Sequence, residues 1–129
     1  MDKHDFFVTV KVKATGFDLT SAIETYAREK VAMLERFLKH LQSKSHEVIF
    51  EVEVARMTAH HKQGEVYRVE IMCSSGGEVL RAEATDEDMY AAIDGAKAVL
   101  QGRLSGIADK DTGMMRKAGR FFKGLMRRG

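Results

Sequence analysis

The 129-residue sequence reads as an α+β domain: a β-α-β-β-β-α two-layer sandwich, with a four-stranded sheet and two helices packed on one face. Three features predict it. Three stretches alternate apolar and polar residues with the period of a half-buried strand, and a fourth, shorter one is apolar. Two longer stretches repeat apolar residues at intervals of three and four, the period of an amphipathic helix. Glycines at 16, 64, 76 and 77 fall between these stretches as breaks. A sheet with one apolar face and two helices with one apolar stripe each hide those surfaces most economically in two layers.

The first strand spans Phe6 to Ala14. Phe6, Val8, Val10 and Val12 face one way; Phe7, Thr9, Lys11 and Lys13 face the other. Gly16 ends it. Thr20 is a natural N-cap, and Ser21 with Glu24 forms a second capping box. Ile23, Ala27, Val31, Leu34, Leu38 and Leu41 then trace the stripe of one long helix. Its outer face mixes Glu24, Arg28, Glu35 and Lys39, with Lys30 and Arg36 nearby.

After a polar linker, Gln42 to His46, a second strand alternates Val48, Phe50, Val52 and Val54 with Ile49, Glu51, Glu53 and Ala55. The segment TAHHKQGE, turning at Gly64, reads as a hairpin loop. The third strand carries Tyr67, Val69, Ile71 and Cys73 inward, with Arg68, Glu70 and Met72 outward. Gly76-Gly77 turns into a short fourth strand with Val79, Leu80 and Ala82. Thr85 is the expected N-cap of the last helix, and Asp86-Glu87-Asp88 suit the positive end of its dipole. Met89, Ile93, Ala96, Leu100 and Leu104 share its apolar face.

The first helix makes a crossover between parallel strands, and the later strands pair as antiparallel hairpins. The uncovered sheet face then carries Glu51, Glu53, Glu70 and Glu83 among Lys11, Lys13, Arg68 and Arg81. Acids cancel bases there, which makes it a poor surface for phosphate.

Charge is unevenly placed. Residues 1–105 carry a net −3 and residues 106–129 a net +5. The chain therefore divides into a domain, 1–105, and a basic tail, 106–129, expected to be loosely ordered when free. Met115, Ala118, Phe122, Leu125 and Met126 can share a helical face in the tail, but Gly119 and Gly124 weaken a helix.

Several function classes are disfavoured. No apolar run approaches the roughly 20 residues of a membrane span. The N-terminus lacks a signal-peptide pattern, so a cytoplasmic location is expected. Cys73 stands alone in an apolar strand and reads as a reduced core thiol. No nucleophile elbow, His/Cys pairing or phosphate-cradling glycine loop appears, so an enzyme is not expected. His60-His61 reads as a solvated loop rather than a metal site, because adjacent side chains rarely converge on one ion. The acids at 86–88 are explained by the helix dipole. Tyr90 has the chemistry to stack on a base, but its position beside the apolar stripe predicts partial burial.

The basic residues remain. Lys30, Arg36 and Lys39 on the first helix, with Lys97 and Arg103 on the second, make one basic edge if the helices lie side by side. Lysine and arginine so placed suit the phosphates of structured RNA.

Three segments carry a more specific resemblance: YAREKVAMLERF in the first helix, HHKQGEVYRVEI in the central hairpin, and GGEVLRAEATDEDMYAAID. Over roughly residues 6–105 the chain resembles the ribosome hibernation factors, also called ribosome-associated inhibitors or sigma-54 modulation proteins. The resemblance implies the same β-α-β-β-β-α fold. It implies binding to the small ribosomal subunit (its rRNA and proteins), in the channel for messenger and transfer RNA. Translation is thereby blocked, and idle ribosomes are kept through stress or stationary phase. It implies no cofactor, no metal and no small-molecule substrate. Lys30 and Arg36 match basic positions of the family's first helix. The second helix departs from the family's basic run at Val99, Gly102 and Gly106, which Lys97 and Arg103 only partly replace. The length is that of a short form without the C-terminal dimerisation domain, and a monomer is expected.

The leading expectation is thus a ribosome-binding factor with rRNA contacts from Arg28, Lys30, Arg36, Lys39, Lys97 and Arg103. The tail supplies the rest: Arg116, Lys117, Arg120, Lys123, Arg127 and Arg128. One alternative is a protein-interaction module that kept the fold and lost RNA binding, for which the depleted second helix speaks. Another is a peripheral membrane binder, with the tail as a basic amphipathic helix on anionic lipid.

Overall fold

The computed structural model describes residues 6–41, 45–58 and 64–109. Strand β1 (Phe7–Thr15) is followed by helix α1 (Ser21–Ala32) and a short 3-10 helix (Glu35–His40). Strands β2 (Glu47–Thr58), β3 (Glu65–Ser75) and β4 (Glu78–Asp86) then lead into helix α2 (Met89–Asp109). The sheet order is β1-β2-β3-β4, with β1 parallel to β2 and the other pairs antiparallel. Both helices pack on one face, as the patterns require. His60-His61, and the tail bases Arg116, Lys117, Arg120, Lys123, Arg127 and Arg128, lie outside the described residues.

Register follows the alternation. Val10, Phe50, Cys73 and Leu80 form one inward row, and Val12, Val52, Ile71 and Ala82 the next. The β2 and β3 members of these rows are buried, whereas Val10 and Val12 on the edge strand are only half-buried. Ile23, Ala27, Val31, Leu34 and Leu38 from the first helical segment and Ala92, Ile93, Ala96, Leu100 and Leu104 from α2 cover them together in one core. Burial pushes the Cys73 thiol up to about 12. Gly76 and Gly77 both adopt positive φ, 55° and 90°, as a two-residue hairpin turn between twisted strands demands.

Two local expectations are corrected. The long first helix is broken: regular α-helix ends at Ala32, and Leu34 and Leu38 reach the core from the turn and the 3-10 segment instead. The apolar spacings of three and four fit either winding, and the tighter 3-10 winding is common where a helix ends. Thr20 does cap α1, its hydroxyl accepting from the Ile23 amide at 3.2 Å. Thr85, however, caps nothing. It belongs to β4, paired opposite Arg68. Asp88 caps α2 instead: its carboxylate accepts from the Tyr90 amide at 3.0 Å and its carbonyl from the Ala92 amide at 3.0 Å. The Asp86 carboxylate in turn accepts from the Asp88 amide at 2.8 Å. Two of the three clustered acids are thus committed to building the helix start.

Among the described residues, no helix is long and apolar enough to cross a membrane, and no three His, Cys, Asp or Glu side chains group as metal ligands. Helix α2 runs through Ser105 to Asp109, the last described residue.

Candidate nucleic-acid interface

The uncovered sheet face is a self-neutralised ion network. Lys13 lies 3.7 Å from Glu53, which also accepts from the Thr15 hydroxyl at 2.8 Å. Arg68 bonds Glu83 and stands 3.8 Å from Glu70. The Glu83 bond raises the Arg68 pKa above the ordinary value. With Lys13 and Arg68 paired and its acids matching its bases in number, this face has little to offer a phosphate.

The helical face differs. α1 and α2 run side by side in the same direction, joined by a ladder of interactions at matching steps. Tyr26 meets Tyr90 edge to face, ring centroids 4.8 Å apart and planes at 88°. One turn on, the Tyr26 hydroxyl donates to Asp94 Oδ1 at 2.7 Å, and Lys30 Nζ lies 3.4 Å from the same oxygen. Lys30 also stands over the Tyr26 ring, 5.2 Å from its centroid. Another turn on, Ala32, Met33, Arg36 and Lys97 line a shallow cleft. The seam is therefore aromatic at one end, ion-paired in the middle and basic at the other.

Asp94 sets the electrostatics of its middle. Its hydrogen bond raises the Tyr26 pKa, because ionising the phenol would place a second anion against the carboxylate. The same carboxylate raises the Lys30 pKa by bonding the ammonium form. Lys30 thus stays charged, but its charge is already answered.

The predicted basic edge is consequently redistributed. Arg28 is committed to the fold: it pairs with Glu24 at 3.0 Å and donates to the Val10 carbonyl of β1 at 2.8 Å. Arg36 and Lys97 come together in the cleft, with Arg36 stacked 4.8 Å from the Phe37 ring. Lys39 is exposed on the 3-10 helix that packs against α2. Arg103 does not join them. It lies six residues beyond Lys97, hence roughly 120° round the helix, and is half-buried with an interaction of its own. Of the positions where the second helix lacks bases, Val99 packs against the core and Gly106 is buried. A base at either would not extend the cleft. Tyr90, expected to be partly buried, is 40% exposed. Asp94, which ties the two helices together, was passed over by residue type; its i+4 relation to Tyr90 was the available signal.

Comparison with known proteins gives the family and the fold. The family model described as sigma 54 modulation protein / S30EA ribosomal protein matches residues 10–112. A "ribosome hibernation promoting factor" of Acidithiobacillus ferridurans is 33% identical over 87 residues, 66% of this chain and the whole of that protein. A "ribosome hibernation promotion factor" of Mycobacterium tuberculosis is 29% identical over 92 residues, 71% of this chain, which spans only 39% of that protein. Among solved structures, the Protein Y N-terminal domain of Thermus thermophilus is similar with a TM-score of 0.54 and 26% identity, over 78% of this chain and 94% of that one. A ribosomal subunit interface protein from Coxiella burnetii shares the fold, at TM-score 0.51 and 18% identity over 75% of this chain and 93% of that one.

Proposed function

Because the chain belongs to the sigma 54 modulation protein / S30EA ribosomal protein family, which is not a family of enzymes, we propose that it is a ribosome-associated translation inhibitor. It binds the small ribosomal subunit in the channel for messenger and transfer RNA and holds ribosomes idle in the cytoplasm under stress or in stationary phase. The observation that carries this reading is the family match across residues 10–112, which takes in every described helix and all but the first residues of the sheet. Inhibition then needs no chemistry. A compact domain seated where the messenger runs excludes it by volume.

The helical face is the side turned to rRNA in this reading. Arg36, Lys97 and Lys39 contribute phosphate contacts. Lys30 contributes less, since Asp94 already answers its charge. Six of the tail bases, Arg116, Lys117, Arg120, Lys123, Arg127 and Arg128, extend the same electrostatic footprint. The division into a domain and a basic tail is part of the proposal.

Sucrose-gradient co-sedimentation with purified subunits tests it. The expected result is salt-sensitive binding to the small subunit, weaker and with a flatter salt slope for residues 1–109 than for the full chain. Each phosphate that is no longer neutralised takes about 0.9 from the log–log slope on duplex-like RNA. Equal binding by both forms would remove the tail's role. Absence of binding at every salt would refute the reading and turn attention to a protein partner.

A further inference from the structure

We infer that the Tyr90 ring is a stacking platform for one unpaired base of single-stranded RNA, with the neighbouring phosphates held at Arg36 and Lys97. The inference rests on the ribosome-binding reading and adds to it the element of RNA that the seam takes and the direction in which it lies.

Three observations carry it. Tyr90 is an aromatic residue 40% exposed at the end of the seam, where a residue serving only to join the helices would be covered. The ring is also held in advance. Its backbone amide is fixed by Asp88, and its ring angle by the perpendicular Tyr26 ring, itself tied through its hydroxyl to Asp94. A platform ordered before the ligand arrives loses little rotamer freedom on binding. Finally, Asp94 separates the ring from the cleft. Asp94 and Lys30 answer each other's charge there, so the cations left for the backbone of a strand laid along the seam lie at the Arg36–Lys97 end, and its base falls over Tyr90. Tyr90 and Lys97 are seven residues apart, about 10 Å along the axis, a span of roughly one to three nucleotides. Stacking on an aromatic face suits any base, so this interaction confers affinity for an unpaired nucleotide rather than for a sequence.

The test uses the full chain with Tyr90→Phe, Tyr90→Leu and Arg36→Ala variants. Leucine keeps bulk against Tyr26 and removes the π face; circular dichroism and melting confirm that each variant folds. Binding is read with purified small subunits across a salt series, and with a single-stranded oligoribonucleotide carrying 2-aminopurine, whose fluorescence falls on stacking. Tyr90→Phe is expected to match the wild type. Tyr90→Leu is expected to bind about five- to 150-fold more weakly, with an unchanged salt slope and no 2-aminopurine quenching. Arg36→Ala is expected to weaken binding and flatten the slope. If the wild type binds subunits and Tyr90→Leu binds as tightly, the stacking inference is overturned while the ribosome reading stands. If the wild type binds no subunit at any salt, both fall.

Discussion

Replacing Asp94 by asparagine isolates the charge at the centre of the seam. Asparagine keeps an oxygen for the Tyr26 hydroxyl, which now lies 2.7 Å from Oδ1, but no longer offers an anion to Lys30 at 3.4 Å. Two consequences follow. The Tyr26 pKa falls back toward the ordinary tyrosine value, because its phenolate no longer forms beside a carboxylate. The Lys30 ammonium is left unanswered and becomes available to a phosphate. One additional neutralised phosphate steepens the log–log salt dependence by about 0.9, so the fall in affinity between about 50 and 200 mM salt grows by a further factor of about 3.5. Phenolate absorbance during an alkaline titration reads the first effect without any ribosome, lysine being silent there. Small-subunit binding across a salt series reads the second. An unchanged tyrosine titration would refute the Asp94–Tyr26 geometry. A changed titration with an unchanged salt slope would show that Lys30 does not face the RNA.

Two further predictions concern the fold that holds the seam. Asp88→Ala should destabilise the protein by about 1 kcal/mol, the usual cost of removing an N-cap, while Thr85→Ala should stay within about 0.5 kcal/mol as an exposed strand position; denaturant unfolding of the two variants compares them directly. Cys73 makes stability depend on alkaline pH. Its folded pKa of about 12 lies above the unfolded thiol's, so at intermediate pH the unfolded state has lost a proton that the native state keeps. Stability should therefore be intact below about pH 8.5 and fall above it, approaching ~1.4 kcal/mol per pH unit. Unfolding curves between about pH 8 and 10 measure this, and a Cys73→Ala variant whose curve fell with the same slope would refute it.

The sheet and core were legible because a period of two leaves little freedom: a one-residue slip would turn Phe50, Val52 and Val54 to solvent. The boundaries were less legible, since pairing across strands decides them. Thr85 and Asp86 have the side chains of a helix start, yet pairing with Arg68 and Tyr67 keeps them in β4 and moves the cap to Asp88. The candidate interface was legible by residue type and not by partnership. Arg28, Lys30, Arg36 and Lys97 were all identifiable as basic surface residues. What assigns Lys30 to Asp94, 64 positions away, is the relative placement of two helices. That placement depends on the packing of the whole core and leaves no local pattern. The same holds for Arg103, whose angular position on α2 separates it from the bases it was expected to join.

The bond from Arg28 to the Val10 carbonyl bears on association as well as on fold. The Phe7 amide donates inward, to the His46 carbonyl at 2.7 Å, and peptide groups alternate along a strand. The Val10 carbonyl therefore points away from β2, along the open margin of the sheet. Unpaired margins invite further strands, from a second copy or a misfolded neighbour. With its carbonyl at Val10 already taken by a guanidinium, β1 cannot offer an incoming strand an uninterrupted ladder. A cation that sequence alone offers to phosphate is committed instead to the open margin of the sheet.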